Sequence, residues 1–252
     1  MDYNAGRRTR ITIVETSHPS RTVESRQQDV HPRLADVVDA HLRHAWQAPL
    51  HPPSVAAFDA LRGLIGSESR PLVFDSGCGT GESTRLIARQ MPDCLVVGID
   101  KSRARLARTG AGTLPHREGN AVWLRADLAT FWRLARRAGW QLRGHFLLYP
   151  NPWPKPGQLR RRWHAHPVFP DLLGLGGRLE MRCNWEIYAQ EFAAAVKIVK
   201  GYDAQITQEL NTAVTTPFER KYRNRGHRLF SVQLPDLSGP VNLQIGQAYS
   251  TF

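Results

Sequence analysis

Three alternating glycines between a short apolar run and a helix-like segment constrain the fold more than any other part of the sequence. The stretch reads Val-Phe-Asp-Ser-Gly-Cys-Gly-Thr-Gly over residues 73–81. Glycine adopts positive φ freely and lets a ligand approach the backbone, and the first turn of a helix offers N–H groups without partners. The stretch therefore predicts a strand, a ligand-binding loop containing Gly77, Gly79 and Gly81, and a helix.

The spacing of the glycines narrows the choice of ligand. A dinucleotide-binding loop needs Gly-x-Gly-x-x-Gly, and counting from Gly77 places Glu82 at the third glycine. A phosphate-binding P-loop would end in Gly-Lys-Ser/Thr, which is absent here. The observed Asp-x-Gly-x-Gly-x-Gly resembles the first motif of class I S-adenosylmethionine methyltransferases, in which Asp75 would suit the cationic, amine-bearing end of that cofactor. The alternative is a structural glycine turn in another α/β protein.

The remaining pattern alternates buried-type strands with amphipathic helices, which predicts a doubly wound α/β sheet. Resemblance to the methyltransferases implies a seven-stranded, Rossmann-like sheet whose last two strands pair antiparallel. The predicted strands are 72–74, 95–99, 121–124, 146–149, 178–183, 204–210 and 229–234, and the principal helices are 82–91, 101–109, 128–138 and 185–200.

The domain organisation follows from where this alternation begins. Residues 1–50 form a basic N-terminal extension with one apolar helix face over 34–42 and a β-like run over 11–14. By the resemblance of the glycine motif, residues 51–252 are expected to form an S-adenosylmethionine-dependent methyltransferase domain, whose first helix has Ser54 as its expected N-cap.

The charge of the chain indicates an anionic partner. Lys and Arg number 34 against 22 Asp and Glu, which leaves a net charge of +12 and a pI near 10.3. Such an excess favours nucleic acid, although a solvated basic surface is the alternative. The three cysteines are scattered without zinc-type spacing, and no apolar run is long enough to cross a membrane, so we expect a cytoplasmic protein without a bound metal.

Polar residues end the first four predicted strands, and ligands of open α/β sheets bind at this edge. Asp75 ends the first strand, and Asp100 ends the second, where a carboxylate can hold ribose hydroxyls. Asp127 follows the third strand on the expected adenine side, with helix capping as its alternative role. Asn151 follows the fourth strand, where cofactor and target base should meet.

Two basic clusters open on the same edge. The first follows Asn151 and contains Lys155, Arg160, Arg161 and Arg162 with Trp153 and Trp163, which suits phosphate binding and base stacking. The second lies between the last two strands, where Thr216 and Glu219 are placed to hydrogen-bond a base edge and the five arginines and lysines of 220–228 to bind a backbone.

Three motifs together resemble the bacterial tRNA (guanine-N7)-methyltransferase family. They are Tyr-Pro-Asn-Pro-Trp over 149–153 followed by Lys and Arg, Cys-Asn-Trp-Glu-Ile-Tyr-Ala over 183–189, and Thr-Pro-Phe-Glu over 216–219 with Gly-His-Arg over 226–228. The resemblance covers about residues 70–235. It implies S-adenosylmethionine as cofactor, tRNA as substrate, and roles in substrate binding for Asn184 and Phe218.

The family has aspartates at the positions of Asn151 and Asn184, and this departure bears on the chemistry. Guanine N7 carries a lone pair, so its methylation needs placement rather than a general base. A carboxylate accepts two hydrogen bonds from the N1–H and N2–H₂ edge of guanine, whereas an amide accepts one and presents donors. Asn151 is therefore the candidate catalytic position that limits or redirects the reaction. The alternatives are methylation of a different base or of an exocyclic amine, and a non-catalytic RNA-binding relative that retains the cofactor fold.

Overall fold

The computed structural model describes residues 22–208 and 216–237. Within these ranges, helices and strands alternate along the chain, as the hydrophobic pattern predicts. The elements are α1 Leu34–Arg43, α2 Pro52–Ile65, β1 Leu72–Ser76, α3 Glu82–Gln90, β2 Leu95–Asp100, α4 Arg103–Leu106, β3 His116–Glu118, β4 Ala121–Arg125, α5 Leu128–Arg137, β5 Leu142–Leu148, α6 Phe169–Gly174, β6 Arg178–Cys183, α7 Glu186–Lys200, β7 Gln205–Gln208, α8 Pro217–Arg223 and β8 Phe230–Asp236, with short 3-10 helices at Ala107–Thr109, Pro156–Arg161 and Trp163–Ala165.

All the strands of the described residues lie in one sheet of order β3-β4-β2-β1-β5-β6-β8-β7. Strands β4, β2, β1, β5 and β6 are parallel, whereas β8 runs antiparallel to both β6 and β7. The doubly wound α/β class and the antiparallel final pair are thereby confirmed. The carboxyl ends of the parallel strands form one edge, which carries the loops after β1, β2, β4, β5 and β6.

The sheet has eight strands rather than the predicted seven. The additional strand, β3, pairs antiparallel with β4 and consists of His116, Arg117 and Glu118. These three polar residues have no apolar alternation, so the sequence carries no strand signal there. The fourth predicted strand corresponds to β5, which begins at Leu142 rather than at residue 146. The prediction missed its first residues because Arg143 and His145 interrupt the apolar run.

The described part of the N-terminal extension packs against the domain. Leu34, Val37 and Val38 are buried, and α1 contacts α7. The expected cap of α2 is wrong, because the helix begins at Pro52, a residue suited to a first helical position. Ser54 lies inside the helix and its Oγ accepts the Asp127 backbone N–H at 2.8 Å. The β-like run over 11–14 lies outside the described residues.

The loop between β7 and β8 contains a helix, α8, which the charge-rich sequence did not predict. Thr216 is the N-cap of α8, and its Oγ1 accepts the Glu219 backbone N–H at 2.9 Å. Among residues 22–208 and 216–237, no helix is long and apolar enough to cross a membrane.

Candidate active site

The glycine loop has the backbone conformation that its sequence predicts. The φ angles of Gly77, Gly79 and Gly81 are 82°, 58° and 78°, all in the region that favours glycine. A Cβ on Gly77 would meet no atom within 4 Å, and one on Gly79 would meet only Arg105 Cδ at 3.9 Å and a loop carbonyl at 4.0 Å. A Cβ on Gly81 would lie 2.4 Å from Nε1 of Trp123. The first two glycines therefore leave room for a ligand, whereas the third allows the helix to pack against β4.

Asp75 is a buried carboxylate with one oxygen engaged and one available. Its Oδ2 accepts hydrogen bonds from Ser83 Oγ at 2.6 Å and Thr84 Oγ1 at 2.7 Å. Its Oδ1 is buried and has no hydrogen-bond partner. Burial raises the pKa of Asp75 to about 6, although the two hydroxyls favour the charged form. A cationic ligand group at Oδ1 would complete this site.

Asp100 holds the glycine loop from the neighbouring strand. Its Oδ2 accepts the Gly79 N–H at 3.0 Å, and its Oδ1 accepts the Ser102 N–H at 2.7 Å. The guanidinium of Arg105, which is partly exposed, lies 3.4 Å from Oδ1. Because each carboxylate oxygen has two lone pairs, Asp100 keeps acceptor capacity for a ribose hydroxyl.

Asp127 occupies the capping position that was its alternative role. Its Oδ2 accepts the Thr130 N–H at 2.9 Å and so caps α5. The side chain remains half-buried, and its contribution to adenine binding stays a prediction.

The loop after β5 is held in an unusual backbone conformation. Tyr149 and Trp153 have φ angles of 53° and 45°, which are costly for residues with side chains and are often found at functional sites. Asn151 lies between them with an exposed side chain, and its Oδ1 accepts the Trp153 N–H at 3.4 Å. The exposed amide of Asn151 therefore keeps acceptor capacity at Oδ1 as well as its NH₂ donors.

An aromatic cluster lies beside this loop. The ring of Tyr222, on α8, is 5.5 Å from Tyr149, 6.3 Å from Phe218 and 5.1 Å from His227. Phe218 is 44% exposed, an uncommon state for a phenylalanine, and it offers a face for stacking on a base. Sequence reasoning did not single out Tyr222, because nothing in a charged segment marks an aromatic residue as part of a cluster.

The other three substrate-binding candidates on this side, Asn184, Thr216 and Glu219, differ in availability. Asn184 is half-buried, and its Nδ2 lies 3.4 Å from Nδ1 of His227, at the border of the aromatic cluster. Glu219 is fully buried, and its carboxylate pairs with Arg182 at 3.1 Å and Arg223 at 2.7 Å. Base recognition by Thr216 and Glu219 remains a prediction, since the hydrogen bonds and ion pairs of both side chains are structural.

One ion pair places α8 at the mouth of the glycine loop. Arg220 on α8 lies 3.2 Å from Glu82, the first residue of α3. The end of β1 with Asp75, the loop with Asn151 and helix α8 with Phe218 therefore lie around one face at the carboxyl edge of the sheet.

The arginines after β5 separate into two groups. Lys155, Arg160 and Arg161 are exposed, and the Arg161 guanidinium lies 4.9 Å from the Trp153 ring centroid. Arg162 is fully buried, so it cannot contact a phosphate, contrary to what the basic run suggests. Trp163 likewise packs against Trp132, with ring centroids 4.8 Å apart, instead of presenting a stacking face.

Comparisons with known proteins agree with this geometry. The family model described as "Putative methyltransferase" matches residues 69–232, more than half of the chain. A tRNA (guanine-N(7)-)-methyltransferase of Pseudomonas aeruginosa (strain UCBPP-PA14) is 31% identical over 182 residues, covering 69% of this chain and 71% of the relative. The chain belongs to the tRNA (guanine-N7)-methyltransferase family. A relative of the same name from Stutzerimonas stutzeri is 25% identical over 230 residues, covering 87% of this chain and 94% of the relative.

Solved structures show the same fold at greater distance. The 16S rRNA methyltransferase KamB is 17% identical, with a TM-score of 0.50 over 72% of this chain and 94% of its own. Membership of the family makes the chain an enzyme that uses S-adenosylmethionine. The residues fit that cofactor. The open space at Gly77 and Gly79 lets it approach the backbone of the loop, and the unpartnered Oδ1 of Asp75 suits its cationic amine. Within residues 22–208 and 216–237, no group of three His, Cys, Asp or Glu side chains could hold a metal ion.

Proposed function

We propose that the enzyme methylates N7 of a guanine in tRNA. The observation that carries the proposal is the convergence of three features at one edge of the sheet: the glycine loop with Asp75, the strained Asn151 turn, and the aromatic cluster with exposed Phe218. The relatives in Pseudomonas and Stutzerimonas bear the name of this reaction. Because tRNA is its substrate, we place the enzyme in the cytoplasm.

S-adenosylmethionine supplies an electrophilic methyl group on a sulfonium. The protein needs no general base for transfer to N7, since the ring nitrogen already has a lone pair. Its task is to place guanine in line and to exclude water. The Tyr149–Tyr222 contact closes one side of the site, and Phe218 offers a face for the base. The exposed Lys155, Arg160 and Arg161 would bind the phosphates flanking the target.

The role of Asn151 follows from its turn. With Oδ1 receiving the Trp153 N–H, the side chain offers its NH₂ group to a ligand. Against the N1–H and N2–H₂ edge of guanine, the amide supplies one acceptor and presents its NH₂ donors, so it satisfies that edge only in part, whereas a carboxylate would accept both hydrogen bonds. Methylation of an exocyclic amine would use the Asn151 oxygen as acceptor, and the second lone pair of that oxygen is open to this role. The names of the relatives, rather than this turn, favour guanine N7 over an exocyclic amine.

The substrate class is tested by competition. Methyl-labelled S-adenosylmethionine is incubated with the enzyme and an equimolar mixture of tRNA, 16S rRNA and double-stranded DNA, and the label in each is counted after separation. Asp75→Asn serves as the control with impaired cofactor binding. We expect the label in tRNA. Label predominantly in rRNA or DNA, or no transfer by a protein that binds S-adenosylmethionine, would refute the proposal.

A further inference from the structure

A buried carboxylate outside the family motifs joins three distant parts of the chain. Glu191, on α7, is fully buried. Its Oε1 accepts hydrogen bonds from Gln27 Nε2 at 2.6 Å and from the His31 backbone N–H at 3.0 Å. Its Oε2 accepts from Arg162 Nη1 at 2.5 Å and from His164 Nε2 at 2.8 Å. These five residues are called the Glu191 cluster below.

The cluster contains one balanced pair of charges. Burial favours neutral Glu191, but the hydrogen bonds from His164 and Arg162 and the charge of Arg162 outweigh it and lower the pKa of Glu191 to about 2. Burial lowers the pKa of His164, so its ring is neutral and donates through Nε2–H. A buried ion pair whose oxygens are all engaged specifies geometry, because removing either partner leaves a buried charge uncompensated.

Arg162 extends from this cluster to the backbone of the Asn151 loop. Its Nε donates to the Trp153 carbonyl at 3.2 Å, and its Nη2 reaches the Lys155 carbonyl at 3.4 Å. The same Nη2 donates to Gln27 Oε1 at 3.0 Å. The guanidinium thus fixes carbonyls on both sides of Pro154, next to the strained turn at Trp153.

The N-terminal segment reaches the same loop by a second route. Ser25 Oγ donates to the Pro154 carbonyl at 2.5 Å. Three successive carbonyls of the loop, those of Trp153, Pro154 and Lys155, are therefore held by Arg162 or by Ser25. Each lies within four residues of Asn151.

Arg162 also contacts the loop that carries Asn184. Its guanidinium lies 4.8 Å from the ring centroid of Trp185, the residue after Asn184. A single buried side chain consequently spans the two loops in which the family aspartates are replaced. Sequence reasoning could not find this link, because Arg162 stands in a run of three arginines that look alike.

We propose that Ser25 and the Glu191 cluster form a positioning device that holds the Asn151 and Asn184 loops in register for the RNA. Arg162 is its positioning residue and makes no phosphate contact. The inference rests on the proposed function for its effect on catalysis, but its structural consequence is measurable without any reaction.

The first test removes the hydrogen bonds made by the side chains of Ser25 and Gln27 and keeps the buried Arg162–Glu191 ion pair. The double variant Ser25→Ala/Gln27→Ala is compared with Gln28→Ala, whose side chain is exposed on the same segment. Hydrogen exchange is followed by mass spectrometry in peptides covering 150–158 and 183–187. We expect faster exchange there in the double variant, at unchanged affinity for S-adenosylmethionine. Exchange equal to that of Gln28→Ala would overturn the proposal, whether or not the enzyme methylates tRNA.

The kinetic consequence is measured on the same proteins. Loss of the three positioning hydrogen bonds, from Ser25 to Pro154, from Gln27 to Glu191 and from Arg162 to Gln27, should lower kcat/KM for tRNA on the order of tenfold, whereas Gln28→Ala should not change it. A merely structural role would lower Tm and leave the KM for tRNA and the exchange of the two loops unchanged, and that result would also overturn the proposal.

A charge-conserving variant of Arg162 and a charge-removing variant of Arg161 together separate positioning from phosphate binding. Arg162→Lys keeps the charge but cannot span the loop carbonyls and Glu191, so we expect a lower kcat/KM at an unchanged salt dependence of tRNA binding. The control Arg161→Ala should reduce the salt slope by about 0.7–0.9. A kcat/KM for Arg162→Lys equal to that of the parent would show that charge alone suffices at this position and would refute its assignment as a positioning residue. If Arg162→Lys does not fold, the Ser25→Ala/Gln27→Ala comparison decides.

Discussion

Replacing Gly79 by valine tests whether the glycine loop holds S-adenosylmethionine. The perturbation can be matched within the same chain, because Gly79 and Gly119 have nearly the same φ, 58° and 60°. A Cβ at Gly119 would meet no atom within 4 Å, and one at Gly79 would meet only ordinary contacts at 3.9 and 4.0 Å. The two positions therefore impose similar backbone strain and leave similar space for a Cβ, so a difference in ligand binding reports the ligand.

The magnitude follows from the backbone. A side chain in the left-handed region costs about 1–2 kcal/mol, and the reduced entropy of the unfolded chain returns about 0.4–1 kcal/mol. Both Gly79→Val and Gly119→Val should therefore lose on the order of 1 kcal/mol, which lowers Tm by about 2–4 °C in a protein of this size. Only Gly79→Val should place methyl groups where the cofactor approaches the loop, with at least a tenfold loss of affinity, about 1.4 kcal/mol.

Titration calorimetry with S-adenosylmethionine measures the affinity, and thermal unfolding measures the shared strain. We expect Gly119→Val to bind like the parent and Gly79→Val to bind at least tenfold more weakly at a similar Tm. Equal affinities of the two variants would refute the assignment of the cofactor to this loop.

The remaining predictions concern charge and the Asn151 turn. The pKa of Asp75 is raised from 3.8 to about 6, so the folded state binds the Asp75 proton more tightly than the unfolded state does. Protonated Asp75 therefore contributes roughly 3 kcal/mol to the stability of the fold below about pH 4, and this contribution is lost as the pH rises to 6. Calorimetry across pH should show the opposite trend for the cofactor, whose affinity falls below about pH 6, and Asp75→Asn should abolish that dependence. Replacing Lys155, Arg160 and Arg161 by alanine should flatten the plot of log affinity for tRNA against log salt by about 0.7–0.9 for each phosphate that is no longer neutralised, and an unchanged slope would contradict phosphate binding there. Asn151→Asp should raise kcat/KM for guanine methylation on a tRNA pool, because it adds an acceptor for the guanine edge, and rates and products equal to those of the parent would show that position 151 does not govern substrate choice.

Local signals made the glycine loop and the parallel strands predictable. Glycine identity at residues 77, 79 and 81 encodes positive φ, and continuous apolar runs encode buried strands such as β2. Strand β3 has neither signal, since three polar residues form it through pairing with β4 alone. Helix α8 was missed for a related reason: its basic sequence reads as a loop until Thr216 caps it.

The parts of the site that sequence could not predict depend on long-range contacts. Asp75 was found from its place beside the glycines, but its unpartnered oxygen appears only once Ser83 and Thr84 occupy the other. Gln27 and Glu191 are 164 residues apart, and no local pattern connects them. Arg161 and Arg162 are neighbours of the same type, and only burial shows that one faces solvent and the other organises the site.

The identity of the methylated atom tests the account most directly. Transfer RNA is incubated with the enzyme and methyl-labelled S-adenosylmethionine, digested to nucleosides, and analysed by chromatography and mass spectrometry against standards. We predict that the label is found in 7-methylguanosine and that Asp75→Asn strongly reduces it. Label in a nucleoside methylated at an exocyclic amine or on another base would contradict the placement of guanine N7 at the Asn151 edge of the sheet.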